Sequence, residues 1–345
     1  ILLHSLTDFN MQVGANGLYF FFVLAVAVSA ASTRFRRGVQ ATYLKKSVFK
    51  FYIPLLAALF LCGSVLYINF GALLGNYYFS GFQSADTETV SSDKQLQKLH
   101  KAASKAAAAD SLNPEYPYVM AQTSARMGNP ADALHYYQKL LFLAPLNSRY
   151  LQDAGRFMAG QGRGKAAEQL MEKAIAYAPK RLSAYLTYGA WLFEQKKLDR
   201  GLSVLRAAME MDAENTDACL TLMVWYGLGD DVMERALPDR VAPHLIYADY
   251  LASKGAYTAA GASYRNALKY LPNTDEIKKG SFLKVYQFYR DQGEYEAAVN
   301  IILQAIDYFP DDYHLHNIAG GLYEKIGINY RAKEEFRKAE ILKAK

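Results

Sequence analysis

The chain has 345 residues, 52% of them hydrophobic and 21% charged, and its 39 Lys and Arg against 33 Asp and Glu give a formal net charge of +6. At roughly 150 residues per domain, that length excludes a single small domain. The excess charge is segregated: residues 1–84 hold six basic residues and one acid, and the remainder is almost neutral, which disfavours a nucleic-acid-binding surface and points to membrane topology.

The chain begins at Ile1, and we read it as the end of a longer protein. Residues 1–17 include His4, Ser5, Thr7, Asp8 and Asn10, and they lack the basic stretch that opens a secretory signal. They are too polar for hydrocarbon and too short for a domain, so they are expected to be the end of a loop at the membrane surface. No residue from Phe9 to Thr33 is charged, which predicts a transmembrane helix over 18–33. About 20 residues rising 1.5 Å each cross the roughly 30 Å hydrocarbon layer. Residues 34–50 then carry Arg34, Arg36, Arg37, Lys45, Lys46 and Lys50.

A second uncharged run, Phe51 to Ala85, predicts a second span, with interfacial aromatics (Tyr77, Tyr78, Phe79, Phe82), over 51–82. Short basic loops stay in the cytoplasm, so 34–50 is expected there, and residues 1–17 and everything after Ser84 on the opposite face. This describes a multi-pass bacterial inner-membrane protein with its remaining sequence in the periplasm. Cys62 and Cys219 are the only cysteines, and their placement offers no zinc spacing.

After a linker at 83–92 the chain repeats itself. Pro114, Pro145, Pro179, Pro272 and Pro310 each close an apolar helical run, and the first two intervals are 31 and 34 residues. Aligned on a 34-residue unit, small residues recur at the eighth position (Ala121, Gly155, Gly189, Ala248, Gly320), with Tyr286 as the exception. Turn glycines recur at 128, 162, 255, 293 and 327, where Lys196 is the exception. Small residues recur again at the twentieth position (Ala133, Ala167, Gly201, Ala260, Ala298, Ala332) and, Leu140 apart, at the twenty-seventh (Ala174, Ala208, Ala267, Ala305, Ala339). Small side chains let paired helices approach, while Tyr137, Tyr264 and Phe336 fill the gap to the next pair. The pattern resembles the tetratricopeptide repeat family over 93–345, with a half unit at 93–114, a divergent copy near 180–213 and an irregular stretch at 214–239.

The expected architecture is therefore all-α: two transmembrane helices followed by a tetratricopeptide-repeat solenoid. The first helices of such units line a groove. By periodicity Tyr118, Gln122, Arg126, Arg149, Gln152, Arg156, Leu186 and Phe193 face it, and arginine and tyrosine are common recognition anchors. The repeats hold no nucleophile with its base, no phosphate-binding glycine loop and no metal-ligand cluster, so we expect no cofactor, no metal and no nucleic-acid partner. His314 and His316 are two apart on a helix start and point to different sides.

One further motif lies at the start. His4-Ser5, Asp8-Phe9-Asn10, Gln12 and Gly14-x-x-Gly17, followed by an aromatic-rich apolar run, resemble the last periplasmic loop and following helix of the O-antigen ligase and polymerase family over about residues 1–35. That resemblance implies a polytopic glycosyltransferase that moves a glycan from an undecaprenyl pyrophosphate carrier to a periplasmic acceptor. His4 would be its catalytic residue, a base for the acceptor hydroxyl or a cation for the leaving pyrophosphate. Asp8 would orient it if the segment is helical. The family also uses periplasmic arginines to hold the pyrophosphate, and residues 1–33 contain none. The ligase form has one more residue between His-Ser and the first glycine, which leaves ligase and polymerase both open.

The leading expectation is thus the C-terminal part of a glycan ligase or polymerase, with a lipid-linked glycan substrate and repeats that recruit a protein or glycan. The alternative is a non-enzymatic, membrane-anchored repeat scaffold for an envelope assembly. A receptor exposing its repeats to the cytoplasm conflicts with the charge bias.

Overall fold

The apolar runs closed by turn glycines fold as helices, and no strand occurs among the described residues, which are 48–82, 92–271 and 278–344 of this computed structural model. His4, Asp8, the helix expected at 18–33 and most of the basic loop lie outside them. The chain divides into two units, residues 1–143 and 144–345.

In the first unit, α1 spans Val48–Phe79 and ends in a 3-10 turn at Ser80–Phe82. It is followed by α2 (Asp93–Ala109), α3 (Glu115–Arg126) and α4 (Pro130–Leu143). The span expected at 51–82 coincides with α1, whose described side chains are continuous only from Asn69. Among the described residues, no helix is long and apolar enough to cross a membrane. The last turns of α1 have a second role, because they pack on α2 and α3. A Cβ built on Gly71 would stand 2.6 Å from the Ala109 carbonyl oxygen, and one on Gly75 would stand 2.8 Å from the Tyr116 hydroxyl. Phe79 is buried edge-on against Tyr116, with ring centroids 5.5 Å apart. The half unit read at 93–114 is therefore a hairpin whose first helix is the end of α1.

The second unit is built mainly of helix pairs. They are α5 (Ser148–Gly160) with α6 (Gly164–Tyr177) and α7 (Leu182–Glu194) with α8 (Leu198–Met211), followed by α9 (Asn215–Trp225) and α10 (Asp230–Ala236). Then come α11 (Val241–Ser253) with α12 (Tyr257–Lys269), α13 (Lys279–Asp291) with α14 (Tyr295–Tyr308), and α15 (Tyr313–Lys325) with α16 (Asn329–Lys343). The stretch read as irregular, 214–239, holds two helices, the second of only 7 residues, which pack on neighbouring helices rather than on each other.

Each turn within the pairs of the second unit closes with the same bond. Arg163 N–H donates to the Met158 carbonyl at 3.0 Å across Gly162, whose φ of +71° only glycine adopts without cost. The divergent copy makes the identical closure with Lys196 at φ +59°, Lys197 N–H donating to the Leu192 carbonyl at 2.9 Å. Inside the pairs, Ala154, Ala167, Ala174, Ala208, Ala248, Ala260, Ala267, Ala298 and Ala305 are fully buried. The small-residue rule thus reflects close helix approach within each hairpin.

Candidate functional site

The positions of the second unit expected to face a groove lie on α5 and α7. Asn147 caps α5 by accepting from Arg149 N–H at 3.0 Å and Tyr150 N–H at 3.3 Å, which fixes the rotation of the helix. With that rotation Arg149 and Arg156 are exposed, and Arg156 forms a loose ion pair with Asp153 at 3.8 Å. Such a surface pair contributes at most about 1 kcal/mol. Gln152 is buried, unlike its two arginine neighbours. Its amide donates to Thr187 Oγ1 at 2.8 Å, and it accepts from Ser183 Oγ at 3.1 Å, so one side chain ties α5 to α7.

Beside this tie a cavity of about 590 Å³ opens. Ala159, Gly160 and Ala190 line it together with Arg156, Leu186, Thr187 and Glu194. Glu194 is exposed and accepts from the Tyr226 hydroxyl at 3.0 Å. The Tyr226 phenol is pushed up to about 12, by burial first and then by its bond to Glu194.

The wall behind the cavity is fixed by Trp191, which is buried, stacked on Tyr188 with centroids 6.1 Å apart and covered by the Lys197 ammonium 5.3 Å from its ring. Lys197 in turn pairs with Glu168 at 3.2 Å, and Arg200 pairs with Glu168 and, at 3.3 Å, with Glu172. Burial pushes the Glu168 carboxyl up, but hydrogen bonds from Lys197 and Arg200 outweigh it and hold the group below the usual carboxylate range. The wall is therefore charged, internally matched and preorganised.

Phe193 sits elsewhere. It is half-buried against α8, where a Cβ on Gly201 would collide with its ring, and its centroid is 5.3 Å from that of Tyr226. Glycine at a position that is alanine in the other copies leaves the space this ring fills.

In the first unit Tyr118 is buried and accepts from the Gln122 amide at 2.6 Å, while Arg126 is exposed at the end of α3. Thr187, Ala190 and Glu194 did not emerge from the sequence as groove residues. A signal for two of them was present, since Ala190 and Glu194 occupy the ninth and thirteenth positions, where the preceding copy has Arg156 and Gly160. No group of three or more His, Cys, Asp or Glu placed to hold a metal occurs among the described residues.

Residues 118–174 and 287–312 each match a family model described as tetratricopeptide repeat. The chain carries tetratricopeptide repeats. Among solved structures, pilF of Pseudomonas aeruginosa is 18% identical, with 72% of this chain and 94% of that one covered at a TM-score of 0.33. A tetratricopeptide repeat protein from Parabacteroides merdae is 13% identical, with 78% and 93% covered at a TM-score of 0.35. YrrB, a TPR protein with an unusual peptide-binding site, is 18% identical, with 63% and 96% covered at a TM-score of 0.31. No curated protein sequence matches the chain. Both repeat matches fall outside residues 1–35, so they lend no support to the ligase and polymerase resemblance.

Proposed function

We propose that this chain is a membrane-anchored tetratricopeptide-repeat scaffold whose second unit takes up an extended segment of a partner protein in an envelope assembly. The observation that carries the reading is the cavity of about 590 Å³ between α5 and α7, lined by Arg156, Glu194 and the short side chains of Ala159 and Ala190. A cation, a carboxylate and short side chains in one lining suit a peptide main chain with its own polar groups. The anchor is argued from the uncharged runs at 9–33 and 51–85, and the periplasmic placement from the six basic residues between them.

A photo-crosslinking residue placed at Leu186 in the full chain should capture a defined set of partners. Ala190→Arg should erase that set while leaving the helical circular dichroism unchanged. Equal capture from Lys173, exposed on α6, would reject the groove as the binding surface. A phosphatase fused after Lys345 should be active if the repeats are periplasmic, and an inactive fusion would overturn that placement.

A second reading rests on His4-Ser5 and Gly14-x-x-Gly17: the same repeats would recruit the acceptor or the glycan for a ligase or polymerase acting on lipid-linked glycan. Here His4→Ala in the full-length protein should abolish transfer, and normal transfer would remove His4, and Asp8 with it, from catalysis.

A further inference from the structure

Helix α2 carries a charge pattern that the repeat architecture does not require. Its inward face is Leu96, Leu99, Ala103 and Ala106, all buried. Its outward face carries Lys94, Lys98, Lys101 and Lys105, spaced four, three and four residues apart and all exposed. That spacing aligns the four side chains along one stripe. At 1.5 Å per residue the stripe runs about 16 Å. The helix's one acid, Asp93, stands at its first position.

The stripe adjoins an apolar surface. The Lys105 ammonium lies 5.7 Å from the centroid of the exposed Tyr78 ring at the end of α1. On the same helix Phe70, Leu73 and Tyr77 are 65%, 69% and 74% exposed, three and four residues apart. Lysines beside exposed aromatic and apolar side chains form the composition that sits at a bilayer interface, with stems on apolar surface and ammonium groups at phosphate level.

We propose that the Lys94, Lys98, Lys101 and Lys105 stripe docks on the surface of a bilayer containing acidic phospholipid and so lays the first repeat unit against the membrane. This rests on the membrane reading above and adds a lipid class and a contact face to it. Charge complementarity selects the occupant: four cations with no alternating acids match a negative headgroup layer. Each lysine near such a surface strengthens association by about fivefold, and the contribution weakens with salt.

The test uses the full chain mixed with vesicles of phosphatidylcholine alone or of phosphatidylcholine with phosphatidylglycerol. Vesicle flotation is read together with acetylation rates of individual lysines. The expected result is co-flotation with both vesicle types and slower acetylation of the four stripe lysines, by about tenfold, only with phosphatidylglycerol. High salt should reverse the slowing, and Lys173 and Lys325 should be unaffected. The Lys98→Glu, Lys101→Glu double variant should return Lys94 and Lys105 to their rates on neutral vesicles. Flotation and stripe protection with phosphatidylglycerol alone would support the stripe and overturn the spanning anchor. Flotation with equal stripe reactivity on both vesicles would overturn the stripe and leave the anchor. Flotation with neither would overturn both.

Discussion

His316 on α15 places its Nδ1 2.5 Å from Glu335 Oε2 on α16, and its Nε2 3.1 Å from the Pro310 carbonyl, with both side chains buried. Both ring nitrogens thus lie within hydrogen-bond distance of an oxygen. Burial pushes the Glu335 carboxyl up, while Lys338 and His316 outweigh it and hold the group below its ordinary value of 4.5. A carboxylate depressed in the folded state contributes stability above its unfolded value, and this is lost as pH falls through the folded one. His316→Leu leaves Glu335 buried with only the half-exposed Lys338, and should cost about 3 kcal/mol. Hydrogen exchange of α15 and α16 in the full chain should then speed up by about 100-fold. The double variant His316→Leu, Glu335→Leu should be milder than the single. A double variant as severe as the single would show that packing, not the pair, is responsible.

His244 is the opposite case. It is 4% exposed on α11 and stacked on Tyr270 at 4.8 Å. Burial lowers its pKa below the ordinary 6.5, with Asp239 and the Pro238 backbone opposing and Arg206 adding to the shift. The unfolded chain therefore takes up a proton that the folded chain resists, so stability is lost as pH falls below 6.5. His244→Phe should keep the ring stack and remove that acid-side loss. Urea unfolding followed by circular dichroism at a series of pH values checks this, and an unchanged slope below about pH 6.5 would assign the loss to other groups.

The hairpins were legible in the sequence because their signals are local and steric: a turn residue with positive φ, small residues at fixed positions and an apolar stripe. The site was less legible because its parts meet across helices. Arg156 and Leu186 follow from periodicity, whereas the Gln152–Thr187 bond depends on how two helices are rotated against each other. Phe193 has the right position for the groove but is drawn to the gap that Gly201 leaves. Gly227, at φ +69°, marks the turn between the two helices at 215–236, but a second helix of 7 residues is too short to show a helical period. Gly71 and Gly75 read as ordinary members of an apolar span, because nothing local announces that another helix presses against them.

Lys196 closes its hairpin at φ +59°, where the other described pairs use glycine. A left-handed L-residue pays roughly 1–2 kcal/mol, and glycine's greater freedom in the unfolded chain returns part of that gain. Lys196→Gly should therefore stabilise the second unit by about 0.5–1 kcal/mol, while Gly162→Ala should lose about 1 kcal/mol. Thermal melts compare the two directly, and a destabilising Lys196→Gly would mean that the lysine side chain makes a contribution larger than its backbone strain.

The junction of α1 with α2 makes a graded prediction from three glycines on one helix. Nothing lies within 4 Å of a Cβ at Gly63, so Gly63→Ala meets no obstacle. The usual advantage of alanine over glycine in a helix, up to about 1 kcal/mol, should appear there. At Gly75 the nearest atom is the Tyr116 hydroxyl at 2.8 Å, the far end of a side chain, but Asp110 Cβ at 3.2 Å limits the adjustment. At Gly71 the obstacle is the Ala109 carbonyl oxygen at 2.6 Å, part of the backbone, so Gly71→Ala must push the helices apart at a cost of about 1–3 kcal/mol. Hydrogen exchange of residues 96–109 should therefore accelerate most for Gly71→Ala, less for Gly75→Ala and not at all for Gly63→Ala. If Gly71→Ala left those amides as protected as in the parent, α1 would not be a member of the first hairpin, and the α2 stripe would lose its fixed relation to the aromatic end of α1.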